Sequence, residues 1–307
     1  MDPFPGLGVD VRSATADVNG DGVPDMIFVT GPGTPVRFTV ISGTDGTTVL
    51  VPATDPFGGD FTGGAFVAAG DLNLDGRAEF AFTPDQGGGP NVVIYSLNAD
   101  GTLAAPKAFF ALGNPTFRGG ARPAIGDINH DGSPDLAVGA GYLGGPVVEI
   151  HDGKAVGAGD FATLIGGGFF AFDGSDAQTL RNGVFLAVGD LDGDGFADLV
   201  AGGGPGGGPR VLALSGKLLA AGDVAAAHAA PVANFFAGDD SDRGGVAVGT
   251  TDVDGDGRAD LTTEPGGGSD GSGPVQVYLG KDCTPTAAPP AFQDLDPTGP
   301  VGPPQAV

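Results

Sequence analysis

Short apolar blocks recur along the whole chain, and each is closed within a few residues by Gly, Pro or Asp. Val184-Phe-Leu-Ala-Val188 and Ala65-Phe-Val-Ala-Ala69 are the clearest; Met26-Ile-Phe-Val29, Leu199-Val-Ala201 and Gly89-Pro-Asn-Val-Val-Ile-Tyr95 follow the same plan. Blocks of this length, rich in Val, Ile, Leu, Phe and Ala, are strand signals, and the Gly/Pro clusters between them are turn signals. Helical periodicity is missing except in two matching insertions, Lys154–Asp160 and Lys217–Asp223. There Asp160 and Asp223 stand where they would cap a short helical turn. The pattern predicts an all-β chain with many tight turns.

The polar stretches repeat as well. Five segments share the pattern D-x-[DN]-x-D-G-x-x-[DE], beginning at Asp17, Asp71, Asp127, Asp190 and Asp252, with spacings of 54, 56, 63 and 62 residues. A small apolar strand precedes each segment and a second follows it. A Gly/Pro-rich turn then leads to a third strand, and a fourth carries Phe, as in Phe109-Phe-Ala111, Phe169-Phe-Ala-Phe172 and Phe235-Phe-Ala237. Four antiparallel strands per repeat describe a propeller blade. One such sheet cannot bury both faces, so neighbouring blades must supply the rest of the core. The expected architecture is a single five-bladed β-propeller over residues 1–298, with the Asp-rich loop between the first and second strands of each blade. Its repeats cover 9–62, 63–118, 119–181, 182–243 and 244–298, and residues 299–307 form a Pro-rich tail.

Composition narrows the function. With 60 Gly and 26 Pro the chain could pass for low-complexity sequence, but 40% hydrophobic residues arranged in strand-length blocks argue for a folded protein. The 38 acidic and 13 basic residues give a formal charge of −25, which repels nucleic acid and anionic membranes and attracts cations. No apolar run approaches the ~20 residues of a membrane span, so membrane insertion is not expected. Cys283 alone cannot make an internal disulfide. No basic, apolar leader follows Met1, which reads as the start of an excised or expressed fragment.

The repeated loop supplies the missing staple. Calcium takes roughly 6–8 oxygen ligands and tolerates irregular geometry. Side-chain oxygens at loop positions 1, 3, 5 and 9 meet that need: Asp17, Asn19, Asp21 and Asp25; Asp71, Asn73, Asp75 and Glu79; Asp127, Asn129, Asp131 and Asp135; Asp190, Asp192, Asp194 and Asp198; Asp252, Asp254, Asp256 and Asp260. A backbone carbonyl at position 7 (Val23, Arg77, Ser133, Phe196, Arg258) adds one more. Glycine at position 6 of every copy permits the positive φ of a sharp turn. These loops hold 17 of the 38 acidic residues, and five Ca²⁺ would move the charge from −25 to −15. Magnesium demands stricter octahedral geometry. Zinc prefers nitrogen and sulfur, and the only candidate, His130, sits at position 4, where it is expected to face solvent. A metal-free Asx-turn loop is the plain alternative for a single copy, and five copies at a near-constant period weigh against it.

The strand–loop–strand with its calcium motif, the Gly-Pro turns (Gly89-Pro90, Gly145-Pro146, Gly208-Pro209, Gly273-Pro274) and the ~60-residue period resemble the FG-GAP repeat family. That family includes the integrin α-subunit propeller and bacterial surface proteins with FG-GAP or VCBS repeats. The resemblance spans roughly residues 9–297, and it implies the propeller fold, calcium at positions 1, 3, 5 and 9 of each loop, and an extracellular or cell-surface location. Two features depart from it: the integrin propeller has seven blades, and the Phe-Gly element survives best as Phe57-Gly58. Integrin-type partners are therefore not carried over.

No catalytic constellation stands out, because His130, His151 and His228 occupy unrelated repeat positions. A different regularity concerns Arg118, Arg181 and Arg243, each nine residues before a loop's first Asp. First strands line a propeller's channel, so these guanidinium groups are expected near one mouth, as a site for a carboxylate or sulfated glycan; the plainer alternative pairs each with a nearby acid. The expected function is a calcium-stabilised adhesion or binding module, monomeric within a larger surface or secreted protein, whose protein or glycan ligand is unknown. A purely structural spacer and a lyase- or hydrolase-like propeller are the other two readings.

Overall fold

Each apolar block forms one strand of a four-stranded antiparallel sheet, and five such sheets follow one another along the chain. The computed structural model describes residues 3–266, 275–283 and the strand at 292–294. Blade 1 holds β1 (Val11–Ala16), β2 (Asp25–Thr30), β3 (Phe38–Ile41) and β4 (Val49–Thr54). Blade 2 holds β5 (Ala65–Gly70), β6 (Glu79–Pro84), β7 (Asn91–Tyr95) and β8 (Lys107–Phe110). Blade 3 holds β9 (Ala121–Gly126), β10 (Asp135–Ala140), β11 (Val147–His151) and β12 (Phe169–Phe170). Blade 4 holds β13 (Val184–Gly189), β14 (Asp198–Gly203), β15 (Arg210–Leu214) and β16 (Ala233–Phe236). Blade 5 holds β17 (Val246–Thr251), β18 (Asp260–Pro265), β19 (Gln276–Tyr278) and β20 (Phe292–Asp294). The Gly273-Pro274 turn and the tail 299–307 lie outside the described residues.

The five-bladed propeller is therefore the observed architecture. Its first strands pack in succession, β1 on β5, β5 on β9, β9 on β13 and β13 on β17, which places them innermost. The middle strands are buried on both faces: β6, β10 and β14 are buried at every position. The hydrophobic clusters lie at the seams between blades. Val29, Phe38, Phe80 and Phe82 join blades 1 and 2, and Val92, Ile94, Leu136 and Val138 join blades 2 and 3. Ile128, Ile150, Leu199 and Leu212 join blades 3 and 4, and Leu191, Phe235, Leu261 and Tyr278 join blades 4 and 5. Burying apolar area at ~25 cal/mol per Å² requires these seams, since no blade has a core of its own.

The helices differ in part from expectation. Asp223 does cap a helix, α4 (Val224–Ala229), by accepting the Ala226 N–H. Asp160 caps nothing. The helix of that insertion, α1 (Gly153–Ala158), starts directly off β11 with Asp152 as its cap and ends at Gly159 with φ 87°. Asp160 comes after that stop, its N–H returning to Ala155 O. The second insertion also holds a helix ahead of its Asp, α3 (Gly216–Ala220), which leaves β15 as α1 leaves β11, and α2 (Gly174–Thr179), before blade 4, lies outside both insertions and was not expected. No helix among the described residues is long and apolar enough to cross a membrane.

Antiparallel order gives the propeller two unlike faces. The Asp-rich loops join first to second strands, and the turns after the third strands return to the same face. The turns between second and third strands, and the linkers between blades, lie on the opposite one.

Candidate functional site

All five Asp-rich loops fold alike. The position-1 carboxylate accepts the position-6 N–H at 2.7–3.0 Å in every copy. Position 3 accepts the N–H of position 5, and position 5 that of position 7. These are Asx turns, in which a short side chain satisfies the backbone that curls around it. The position-6 glycines have φ of 83–90°, as their sequence position requires. Position 4 is also left-handed in every copy, including Leu74 at 59° and His130 at 57°, a cost the sequence did not advertise. His130 is exposed as expected, but its ring rests 5.1 Å from that of Phe196 in the next loop.

Position 9 does more than sequence reasoning gave it. Asp25, Asp135, Asp198 and Asp260 are buried, and one oxygen of each accepts the N–H of loop position 2. The other accepts the N–H of a glycine just past the third strand: Gly43, Gly153, Gly216 and Gly280. Each carboxylate thus ties the loop to the neighbouring turn. The glycine is obligatory, because a Cβ there would lie 1.7–2.2 Å from the carbonyl of loop position 8. Blade 2 lacks it. Leu97 stands at that place, and the longer Glu79 instead takes the Leu72 N–H and the Asn73 side-chain amide.

Burial drives Glu79, Asp135 and Asp198 up to about 7, against the lowering effect of these backbone N–H groups, with neighbouring loop carboxylates adding to the rise. Asp25 rises for the same first reason. Crowded, partly desolvated carboxylates are electrostatically unfavourable unless a proton or cation joins them. Two groups, Asp190–Asp192–Asp194 and Asp252–Asp254–Asp260, bring three carboxylate oxygens within 4.8 Å of one another and could hold a metal ion. Loops 1–3 have Asn at position 3, so their third oxygen there is an amide. The donors are hard oxygens throughout, a set suited to calcium rather than zinc.

Lysines approach three of the loops. The residue after each tying glycine reaches back: Lys154 Nζ to Asp131 at 3.0 Å, Lys217 Nζ to Asp194 at 3.3 Å, and Lys281 Nζ to Asp254. In blade 1 the same position is Thr44, whose hydroxyl donates to Asp21.

Arg118, Arg181 and Arg243 lie on the opposite face, all exposed. Arg181 and Arg243 line one groove of about 420 Å³ on blade 4, with Asn182, Gly206, Gly207, Gly208 and Phe236. Arg118 is not among its residues and stands instead beside Gly89 of blade 2. None of the three forms an ion pair among the described residues; each turns Nη1 onto local main-chain carbonyls.

The inner strands place a different set of side chains beside one another. The second residue of successive first strands is Arg12, Phe66, Arg122, Phe185 and Ala247. Arg12 stacks 3.7 Å above the Phe66 ring, and Arg122 lies 5.6 Å from Phe66 and 3.9 Å from Phe185. Arg12 also pairs with Asp85 at 2.7 Å. Among the described residues Arg122 has no carboxylate within ion-pair distance; it is only 6% exposed and leaves Nε without a partner, and burial lowers it to about 10. Aligning the first strands by register would have shown this alternation in the sequence.

Comparison with known proteins agrees with the geometry. Residues 17–82 match the FG-GAP-like repeat and residues 119–161 the FG-GAP repeat. The chain carries FG-GAP repeats in these two segments. Among curated relatives, this FG-GAP propeller is similar to integrin alpha pat-2 of Caenorhabditis briggsae, 26% identical over 65% of the chain. It is also similar to integrin alpha-7 of Rattus norvegicus, 31% identical over 45%. It spans only 18% and 12% of those proteins' own lengths. Among solved structures, an Agrocybe aegerita lectin that recognises non-reducing terminal N-acetylglucosamine aligns over 94% of this chain and 66% of its own. The TM-score is 0.50 at 18% identity, a likeness of fold alone.

Proposed function

We propose that this FG-GAP propeller is a calcium-stabilised, extracellular adhesion or binding module of a larger surface or secreted protein, and that it recognises a glycan or other anionic ligand. One observation carries the reading: five loops of hard oxygen donors fold on one plan, each with a buried carboxylate at position 9. Calcium would compensate them and fasten first strand to second in each blade, at the ~10⁻⁴–10⁻³ M affinities suited to extracellular modules. The integrin α relatives support the adhesion role. The ligands proposed are the oxygens at positions 1, 3, 5 and 9 of each loop.

Calorimetric titration with Ca²⁺ tests the first half. Up to five sites are expected, with the heat of one lost in the double variant Asp190→Asn/Asp194→Asn; a chain that takes up no calcium would overturn the reading. A glycan array tests the second half, and silence across it favours a structural spacer. Turnover of acidic polysaccharides would make the propeller an enzyme.

A further inference from the structure

The fourth strands of blades 2, 3 and 4 end alike. β8 ends in Phe110, β12 in Phe170 and β16 in Phe236, at equivalent places in the register, opposite the first residue of the third strand. Their exposures are 61%, 48% and 40%. Large exposed rings at three equivalent sites need a reason that scattered ones do not. Each ring lies against the glycine that opens a Gly-Pro turn. A Cβ added at Gly89, Gly145 or Gly208 would sit 3.6, 3.5 or 3.1 Å from the ring's edge. At Gly89 and Gly208 a guanidinium flanks the same spot: Nη1 of Arg118 at 3.7 Å and of Arg243 at 3.6 Å. Ring and guanidinium therefore border a patch of bare backbone that a ligand can approach closely.

The two features occur together. Blades 2, 3 and 4 have both the terminal Phe and the Arg of the following linker. Blade 1 has Thr54 at the register position and Thr62 in the linker, so it has neither. Core packing does not explain this coincidence, because the rings and the guanidiniums are both exposed.

We propose that the ends of blades 2 and 4, on the face opposite the Asp-rich loops, are sites for a uronic-acid saccharide, the blade 4 site lying in the groove that Arg181 also lines. This rests on the glycan reading above and assigns its place and chemistry. A pyranose presents one face of C–H groups, which suits the electron-rich face of Phe236. Its carboxylate suits the planar fork of Arg243, which gains charge-assisted, bidentate bonds that a neutral sugar cannot return. Two of the nearby acids are already engaged: Asp176 is held by Arg210 at 2.5 Å, and Asp239 accepts the Ser241 N–H and hydroxyl at 2.8 and 2.7 Å. Asn182 donates to Pro205 O and accepts the Leu143 N–H, which fixes the floor between Arg181 and the glycine turn. A volume of about 420 Å³ lies in the ~300–1,000 Å³ range of small-molecule sites.

The test is calorimetric binding of a galacturonate trisaccharide, and of the same trisaccharide fully methyl-esterified, at constant excess calcium. The acidic form is expected to bind at least tenfold more tightly than the ester. Phe236→Ala and Arg243→Ala should each weaken it several-fold, while Arg243→Lys retains part of the affinity. Thermal unfolding of each variant, unchanged from the parent, excludes a folding defect. Equal binding of acid and ester, or full binding by both alanine variants, overturns the proposal. If the trisaccharide fails while a glycan array scores neutral or sulfated sugars, this assignment falls and the general glycan reading stands. Silence in both experiments sinks the two together.

Discussion

The two faces of the propeller sort positive charge by shape. Lys107, Lys154, Lys217 and Lys281, all of the chain's lysines, project from strand ends or turns on the face of the Asp-rich loops. Seven of its nine arginines, Arg12, Arg37, Arg118, Arg122, Arg181, Arg210 and Arg243, belong to the opposite end of the strands or its turns. The exceptions, Arg77 and Arg258, occupy position 7 of their own loops, and Arg77 Nε reaches the Asn19 carbonyl of the preceding loop at 3.2 Å. A lysine ammonium is a compact, mobile charge, whereas a guanidinium is a planar fork that stacks on rings. One face is thus suited to balance concentrated carboxylate with spherical cations. The other uses stacked, directional cations to close the inner belt and to flank exposed phenylalanines.

Removing the metal should break the comparison most severely. If each of five sites is about tenfold saturated, calcium adds ~1.4 kcal/mol per site. Chelation should then lower the melting temperature on the order of 15 °C. The metal-free protein should also show a distinctive pH dependence. Glu79, Asp135 and Asp198 are raised to about 7 when folded, against about 4 in an unfolded chain. The folded state therefore binds more protons between these values. Its stability in chelator should be greatest at the acid end of that window and be lost as pH rises from about 4 through 7. Saturating calcium, which prefers the ionised form, should remove that slope. A melting temperature indifferent to EDTA at pH 7.5 would leave the loop face without its proposed role.

The tie from position 9 comes next in size. Gly216→Ala would put a Cβ 2.1 Å from Ala197 O and disturb the bond from Gly216 N–H to Asp198. The expected cost is about 3 kcal/mol, roughly 6 °C, with or without calcium. A variant as stable as the parent would show that the glycine is incidental. On the opposite face, Arg122→Ala removes two ring contacts and leaves a cavity in the belt, at an expected cost of about 2 kcal/mol. Arg122→Met should recover most of it, since a buried guanidinium without a carboxylate partner gains little from its charge. If Met is as damaging as Ala, the charge itself supports the belt.

Much of the fold was readable because its period is carried by the residues that cannot vary. The position-6 glycines must have positive φ, and the Asx turns need Asp or Asn, so Asp17-to-Asp25 and its four counterparts announce the blades. The tying glycines were harder to see. Gly43, Gly153, Gly216 and Gly280 stand 18 or 20 residues beyond their carboxylates, and only the fold brings the two together. Blade 2 shows the dependence within one molecule, where the glycine's replacement by Leu97 accompanies Glu79 in place of Asp. The inner belt was hidden for another reason: Arg12 and Arg122 fall in blocks read for hydrophobicity alone, and a period of five strands is visible only after the strands are aligned. Arg118, Arg181 and Arg243 were found by spacing, but spacing could not show that Arg181 and Arg243 share one groove on blade 4 while Arg118 stands beside Gly89 of blade 2.

The finest test concerns the lysines. Lys217 Nζ lies 3.3 Å from Asp194 Oδ2, with the Lys217 side chain 59% exposed, so the pair contributes little to stability. Its effect should appear in calcium affinity instead. An ion entering loop 4 must share or displace that ammonium, and at close range two cations repel. Lys217→Ala should tighten calcium binding at loop 4 about two- to fivefold, with the gain shrinking as salt screens the repulsion, and should leave the melting temperature in chelator unchanged within about 1 °C. Loop 2 provides the internal control, because Asn98 replaces the lysine there and Asn98→Ala should not alter its calcium affinity. If Lys217→Ala weakens binding, the lysine is a positioning residue that holds Asp194 toward the ion, and the loop face is organised by its lysines as well as neutralised by them.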